Sequence, residues 1–310
     1  MLNKEEINKI LKKEDLKILK SLGQNFLIDK TVLDKIVEVS DLNKKDVVFE
    51  IGPGFGTLTE ELSKKCGKVV AIEKDRKLAE LLKSRWLHSP DRVVEPFVQN
   101  GSTALKGLWS QRVKNTVVIN DDILRVDLNE FINNYSSDGK YKLVSNIPYY
   151  ITSPIIKLFL ESDVKPELIV LLVQKEVAER ICAKPGKLSI LALSVQVYGE
   201  PEIAGFVDRS SFYPEPKVDS AILKIKNISR DAIMGKDAIN RVSTKDLFRI
   251  IKIGFSSKRK KLANNLSAGL HISRTQSEEL LSEAGISSNA RAQELGLEDW
   301  RKLTEMILRS

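Results

Sequence analysis

Histidine and cysteine are almost missing from this chain of 310 residues: it has only His88 and His271, Cys66 and Cys182. Two distant cysteines make neither a disulfide framework nor a cysteine-rich zinc site, and they fit a reduced, cytoplasmic setting. Two histidines leave out a His-based triad and a multi-histidine centre, so no metal is expected. No apolar run approaches the roughly 18 residues of a membrane-spanning helix, so no membrane partner is expected either. The opening stretch, MLNKEEINKILKKEDLK, mixes charge with Ile and Leu and lacks the apolar core and small-residue cleavage site of a secretory signal. What is present is a modest positive surplus, 50 Lys and Arg against 42 Asp and Glu. It favours an anionic partner such as nucleic acid. Residues 229–310 hold 15 basic and 10 acidic residues, so most of the net charge of +8 sits in the tail.

The spacing predicts a short amphipathic helix over 5–20 and a second helix capped by Asp29, with Val32, Leu33, Ile36 and Val37 at helical intervals. From residue 47 the pattern becomes strand–helix alternation. Strands are expected at Val47–Ile51, Val69–Ile72, Val117–Ile119, Lys142–Ser145 and Leu168–Val173, with helices at Thr57–Lys65, Arg76–Leu87 and Pro154–Glu161. Continuous apolar strands separated by helices mean an α/β fold, a doubly wound, mainly parallel sheet covered on both faces. Residues 88–116 break the rhythm as an insertion of 29 residues, where such a loop usually needs about two to six. Beyond residue 228 the pattern is all-helical: Leu247–Phe255, Lys258–Leu266, Ser277–Ala284 and Glu298–Leu308. These signals divide the chain into a domain over 1–227, with an N-terminal helical extension (1–40), and a small helical domain over 228–310.

Four motifs carry chemistry. Glu50-Ile51-Gly52-Pro53-Gly54-Phe55-Gly56 follows a strand and opens a helix, where glycines let a nucleotide-like ligand approach the backbone; a plain strand-to-helix turn is the competing reading. The spacing is not that of the dinucleotide fingerprint, which disfavours a nicotinamide dehydrogenase. Glu73 ends the second strand, 21 residues after Gly52, and suits both hydroxyls of a ribose. Asp121 and Asp122 end the third strand, where one carboxylate can accept from an adenine amino group and the other can cap a helical turn. Ser145-Asn146-Ile147-Pro148-Tyr149-Tyr150 closes the fourth strand. An exocyclic base amine is a poor nucleophile because its lone pair is delocalised into the ring. The Asn146 side-chain oxygen and a backbone carbonyl before Pro148 can accept its two hydrogens and localise that pair. Pro148 fixes the turn, and the Tyr149 ring can stack on the base, a task that needs the ring rather than the hydroxyl.

With these motifs the chain resembles the small-subunit ribosomal RNA adenine dimethyltransferases over residues 16–310. Leu22-Gly23-Gln24-Asn25-Phe26-Leu27, the loop at Glu50–Gly56, Ile72-Glu73-Lys74-Asp75, Asn146-Ile147-Pro148-Tyr149, Gln174-Lys175-Glu176-Val177, Phe212-Tyr213-Pro214-Glu215-Pro216-Lys217-Val218-Asp219-Ser220-Ala221, Lys260-Lys261-Leu262-Ala263-Asn264-Asn265-Leu266 and Arg291-Ala292-Gln293-Glu294-Leu295 stand in the family's order. The resemblance implies S-adenosyl-L-methionine as donor. It implies dimethylation at N6 of two adjacent adenosines in the 3′-terminal hairpin of small-subunit (16S) rRNA, in a pre-30S particle, by a monomer. It implies that Asn25, Leu27, Gly52, Gly54, Glu73, Asp122 and Asn146 hold the cofactor; Asp122 is preferred because Ile123-Leu124 follow it. Asn146, Pro148, Tyr149 and Phe212 are implied at the target base, with Phe212 facing the adenine opposite Tyr149; a core Phe before a Pro-rich loop is the competing reading of Phe212. The run Lys258-Arg259-Lys260-Lys261 is read as phosphate-binding, against the plain reading of a solvated helix face. The insertion departs from the family's spacing.

Two further readings compete. A large-subunit rRNA adenine methyltransferase of the macrolide-resistance type shares the Gly loop and the Asn-Ile-Pro-Tyr motif, but the helical tail favours the small-subunit enzyme. A non-catalytic RNA-binding assembly factor on the same fold is disfavoured by the intact Asn146–Tyr149 motif.

Overall fold

A computed structural model describes residues 1–87, 115–229 and 242–309. The insertion therefore lies outside the described residues up to position 114. The strands are β1 (Phe26–Leu27), β2 (Val47–Ile51), β3 (Lys68–Glu73), β4 (Thr116–Asn120), β5 (Lys142–Asn146), β6 (Leu168–Gln174), β7 (Glu200–Val207), β8 (Phe212–Tyr213) and β9 (Ser220–Lys226). The helices are α1 (Lys4–Lys13), α2 (Lys30–Val39), α3 (Thr57–Lys65), α4 (Arg76–Leu87), α5 (Leu128–Tyr135), α6 (Thr152–Glu161), α7 (Lys175–Ile181), α8 (Ile190–Gln196), α9 (Thr244–Gly254), α10 (Leu262–Leu270), α11 (Arg274–Glu283) and α12 (Leu297–Arg309). Two compact units result: Met1–Lys175 with Glu202–Lys226, and Glu176–Pro201 with Asn227–Ser310.

The main sheet of the first unit has the order β4-β3-β2-β5-β6-β9-β7. β2 to β6 run parallel in it and β9 antiparallel to β6. Its central strands are apolar because both faces are covered; every residue of Leu168–Val173 is buried. After β4 the chain returns to the other side of β2 with β5, so the strand order reverses between β2 and β5. The crevice outside the carboxyl ends of these two strands is where ligands bind in such sheets. The Gly loop and the Asn146–Tyr149 segment leave the sheet there. The antiparallel pair β1–β8 lies outside the main sheet, with Leu27 opposite Phe212.

Several elements differ from expectation for local reasons. The first helix stops at Lys13: the Glu14 N–H still reaches the Ile10 carbonyl, but Asp15 takes a left-handed φ of 47°. Asp29 caps α2 as predicted, taking the N–H groups of Thr31 and Val32, and its other oxygen accepts the Ser211 hydroxyl. β7 hides in a stretch broken by Pro201 and Gly205, which weakens its strand pattern; β9 is the other strand of the main sheet that was not expected. In the second unit, the last residue of α9 is glycine because a Cβ on Gly254 would lie 2.3 Å from the buried Trp300 ring. The run Lys258–Lys261 is not a helix face: α10 begins only at Leu262, with Lys261 as its N-cap. The Asn265 amide donates to the carbonyls of Gly254 and Ser257, which ties down the turn and keeps the run out of the helix.

Candidate active site

The Gly loop is built by backbone conformation. Gly52, Gly54 and Gly56 have φ of 68°, 58° and 74°, a region that side chains rarely adopt. A Cβ on Gly54 would also lie 3.0 Å from the Phe26 ring, so the loop is pressed against the Leu22–Leu27 segment. That segment is tethered by Gln24, which accepts the Leu19 N–H and donates to Asp75. Between them opens a pocket lined by the Leu22–Leu27 segment, the Gly loop, Glu73, Asp121–Leu124 and Asn146–Ile151.

Two carboxyls on its floor are buried. Glu73 accepts the N–H of Gly54 (3.1 Å) and of Asp75 (2.8 Å), so it locks the Gly loop to the end of β3. Burial still pushes it up to about 7. Glu50, 2% exposed, is pushed up to about 8 by burial and, to a smaller extent, by the charge of Glu73. Thr59 offsets part of that shift, yet Glu50 Oε2 completes no hydrogen bond. A buried carboxyl with an open acceptor invites a donor or a cation from the pocket. Asp122 behaves differently. Burial acts to raise it, but Lys74 Nζ at 2.9 Å and the Leu124 N–H hold it below the usual carboxylate range. Asp121 is exposed and spends one oxygen on the Asp122 N–H.

On the other side of the crevice, Asn146 ends β5 with its Nδ2 donating to the Asn25 carbonyl at 3.2 Å. A carbonyl partner can be met only by the amide nitrogen, so the Leu22–Leu27 segment orients Asn146 with its oxygen available as an acceptor. The chain then turns at Pro148 (φ −56°) into a short 3-10 turn, Tyr149–Ile151. Tyr149 is partly buried at the pocket wall, and its hydroxyl meets Ser220 Oγ at 2.6 Å. The hydroxyl is therefore engaged, contrary to the expectation that only the ring matters.

Of the residues singled out from the sequence, Asn25, Leu27, Gly52, Gly54, Glu73, Asp122, Asn146, Pro148 and Tyr149 all line this one pocket. Phe212 does not. It is 2% exposed and packs in the core with Leu27 and Leu33. Alternation along β8 turns Phe212 inward and leaves Tyr213 to bond Asn8. Lys258, Arg259, Lys260 and Lys261 are exposed in the second unit and line no part of this pocket. Glu50 and Ser220 were given no role from the sequence. Glu50 carried a signal, a carboxyl within an otherwise apolar strand just before the Gly loop. Ser220 carried none, because only the β6–β9 pairing brings it to Tyr149.

A family model described as ribosomal RNA adenine dimethylase matches residues 15–308. The chain is 42% identical over 288 residues to the ribosomal RNA small subunit methyltransferase A of Dehalococcoides mccartyi (strain CBDB1), covering 93% of this chain and 88% of that one. It is 36% identical over 302 residues to the protein of the same description from Clostridioides difficile (strain 630), covering 96% and 93%. Among solved structures it resembles a dimethyladenosine transferase from Plasmodium falciparum (TM-score 0.68, 24% identity, 90% of this chain and 95% of that one). It also resembles the 23S rRNA methyltransferase ErmE (TM-score 0.64, 26% identity, 91% and 98%).

Proposed function

The chain belongs to the ribosomal RNA adenine dimethylase family, and from that premise we propose how its own residues carry out the family's reaction on small-subunit rRNA. The protein is an S-adenosyl-L-methionine-dependent enzyme that dimethylates N6 of adenosine in that RNA. The two adjacent adenosines of the 3′-terminal hairpin are its targets. Its substrate is a pre-30S particle in the cytoplasm, and it acts as a monomer. The large-subunit alternative is not favoured, because relatives at 36–42% identity carry the small-subunit description. Among the described residues no helix is long and apolar enough to cross a membrane.

The observation that carries the reading is the oriented Asn146 amide. When bound, S-adenosyl-L-methionine supplies an activated, electrophilic methyl group. The pocket fits this donor through a backbone cradle at Gly52 and Gly54 that a Cβ would strain, and through buried carboxyls with acceptor capacity. Glu73 takes the ribose hydroxyls, Glu50 the cationic end and Asp122 the adenine side, while Asn25 and Leu27 close the wall. Opposite them, Asn146 Oδ1 and the carbonyl of Ile147 accept the two N6 hydrogens, so the nitrogen lone pair is localised for attack. Tyr149 holds the base by stacking. The nitrogen becomes positively charged and acidic on methylation, and its proton can then leave to solvent, so no strong base is required. Positioning and preorganised acceptors provide the rate. The test is methylation mapping on under-methylated 30S particles with labelled donor. Methylation at any other rRNA position, with the 3′-terminal hairpin untouched, overturns the reading.

Burial makes donor binding pH-dependent. In the free protein near neutrality Glu50, raised to about 8, is largely protonated and Glu73, raised to about 7, is about half protonated, whereas a cationic, hydroxyl-bearing ligand favours their ionised forms. Binding therefore releases protons, and affinity rises with pH. Glu73 passes from mostly neutral to mostly ionised between pH 6 and 8 and Glu50 becomes partly ionised, so affinity is expected to rise by at least about tenfold over that range. Calorimetry in buffers of different ionisation enthalpy reads both effects; a pH-independent affinity would overturn them.

The helical unit is proposed as the rRNA-binding domain and the sheet unit as the catalytic one. Four exposed cations stand at the N-terminus of α10, the end where the helix dipole disfavours positive charge. They add nothing to the helix, which supports a phosphate partner. Replacing Lys258, Arg259, Lys260 and Lys261 by Ala should weaken particle binding and lower its salt slope by roughly one unit per lost phosphate contact, leaving donor affinity unchanged. Filter binding over a salt series decides it, and an unaltered slope returns the run to solvated surface.

A further inference from the structure

We propose that Ser220 is a positioning residue for methyl transfer, fixing the long axis of the Tyr149 ring through its hydroxyl; this rests on the reading of Tyr149 as the ring that stacks on the target adenine. Tyr149 leaves the end of β5 on a turn, and the torsion about its Cα–Cβ bond has three staggered wells that carry the ring to different places. A stacking surface held at its backbone end alone would sample more than one of them. The hydrogen bond at 2.6 Å between Tyr149 Oη and Ser220 Oγ adds a second anchor at the far end of the ring. Two anchors fix that axis.

Ser220 is suited to this because its backbone is held on several sides. It is fully buried and is the first residue of β9, paired with Gln174 at the end of β6. The residue before it is gripped twice: the Lys175 N–H donates to the Asp219 carbonyl at 3.0 Å, and the Arg209 N–H donates to Asp219 Oδ1 at 3.2 Å. For packing alone an alanine serves as well in such a place, and a buried hydroxyl without a partner is a cost. The hydroxyl is matched here by the one side chain of the target-base pair, Asn146 and Tyr149, that needs orientation. Base and nitrogen must arrive aligned with the Asn146 acceptor, and small misplacements are expensive in rate. Ser220 thus affects the chemical step while touching neither donor nor RNA base.

The test is a double-mutant cycle on the full-length enzyme, read by single-turnover methylation of preformed 30S substrate at saturating donor. Ser220→Ala and Tyr149→Phe are each expected to slow the reaction about tenfold. The double variant should be no slower than either, because both remove the same bond. Donor affinity should stay within twofold in all three. Tyr149→Phe leaves Ser220 and its strand intact, so it tests the anchor even if Ser220→Ala unfolds. Wild-type rates for Tyr149→Phe or for a folded Ser220→Ala overturn the anchor while the stacking role stands, provided Tyr149→Ala is slow. A double variant about a hundredfold slow also overturns it, because Ser220 would then act elsewhere. If Tyr149→Ala itself reacts at the wild-type rate, the stacking reading fails and the anchor with it.

Discussion

Asn146→Ala is expected to cut the single-turnover methylation rate by a factor on the order of 10²–10³, the usual consequence of removing one preorganised polar partner from a developing charge. Affinity for the ribosomal particle should change little, because phosphate contacts dominate such binding. The structure sharpens this expectation. The amide nitrogen is committed to the Asn25 carbonyl, so Asn146→Asp, which keeps an oxygen but removes that donor, sets two acceptors against each other. It is therefore expected to recover little of the lost rate. A wild-type rate for Asn146→Ala would remove Asn146 from the mechanism and with it the account of how the amine is made nucleophilic.

Glu73→Ala is expected to weaken donor binding about ten- to a hundredfold, the range set by losing roughly 1.5–3 kcal/mol of charged hydrogen bonding. The rate at saturating donor should fall less. The effect has two sources, one anticipated and one found only in the fold. The carboxylate lines the pocket where the donor is proposed to bind, and it also accepts the Gly54 and Asp75 N–H groups that shape the Gly loop. Glu73→Gln keeps one acceptor oxygen and should fall between Ala and wild type. Removing Glu73 should also reduce the pH dependence of binding, leaving the part that comes from Glu50. Calorimetric titration of both variants at two pH values measures this, and unchanged affinity would make Glu73 a purely structural lock.

The strands that carry the pocket were legible because they are buried on both faces. Val47–Ile51, Leu168–Val173 and their parallel neighbours have to be continuous apolar runs, and such runs stand out in any sequence. The Gly loop, Glu73 and Asn146–Tyr149 were legible for a related reason. In a doubly wound sheet, functional groups gather at strand ends, so their distance along the chain follows from the strand–helix rhythm. Elements without that periodic signal were missed. β7 contains Pro201 and Gly205, and β8 and β1 are two residues each. For Lys258–Lys261, charge and helical propensity suggested a helix face, whereas the Asn265 amide, reaching back to two carbonyls, imposes a turn. The burial of Phe212 was not legible, because strand alternation decides which way a side chain points, and that depends on a pairing with β1 distant in the chain.

The amino-acid order therefore determined the sheet class, the glycine cradle and the placing of Glu73, Asn146 and Tyr149 at strand ends around one pocket. Each is a local pattern with its own physical requirement. Only the tertiary structure decided which atom of Asn146 faces the pocket, which carboxyls titrate near neutrality and what holds the Tyr149 ring. Those properties arise between residues that are far apart in the chain: Asn25 with Asn146, Gly54 with Glu73, Tyr149 with Ser220. Desolvation and hydrogen-bond direction are set by neighbours in space, and the sequence orders neighbours only along the chain.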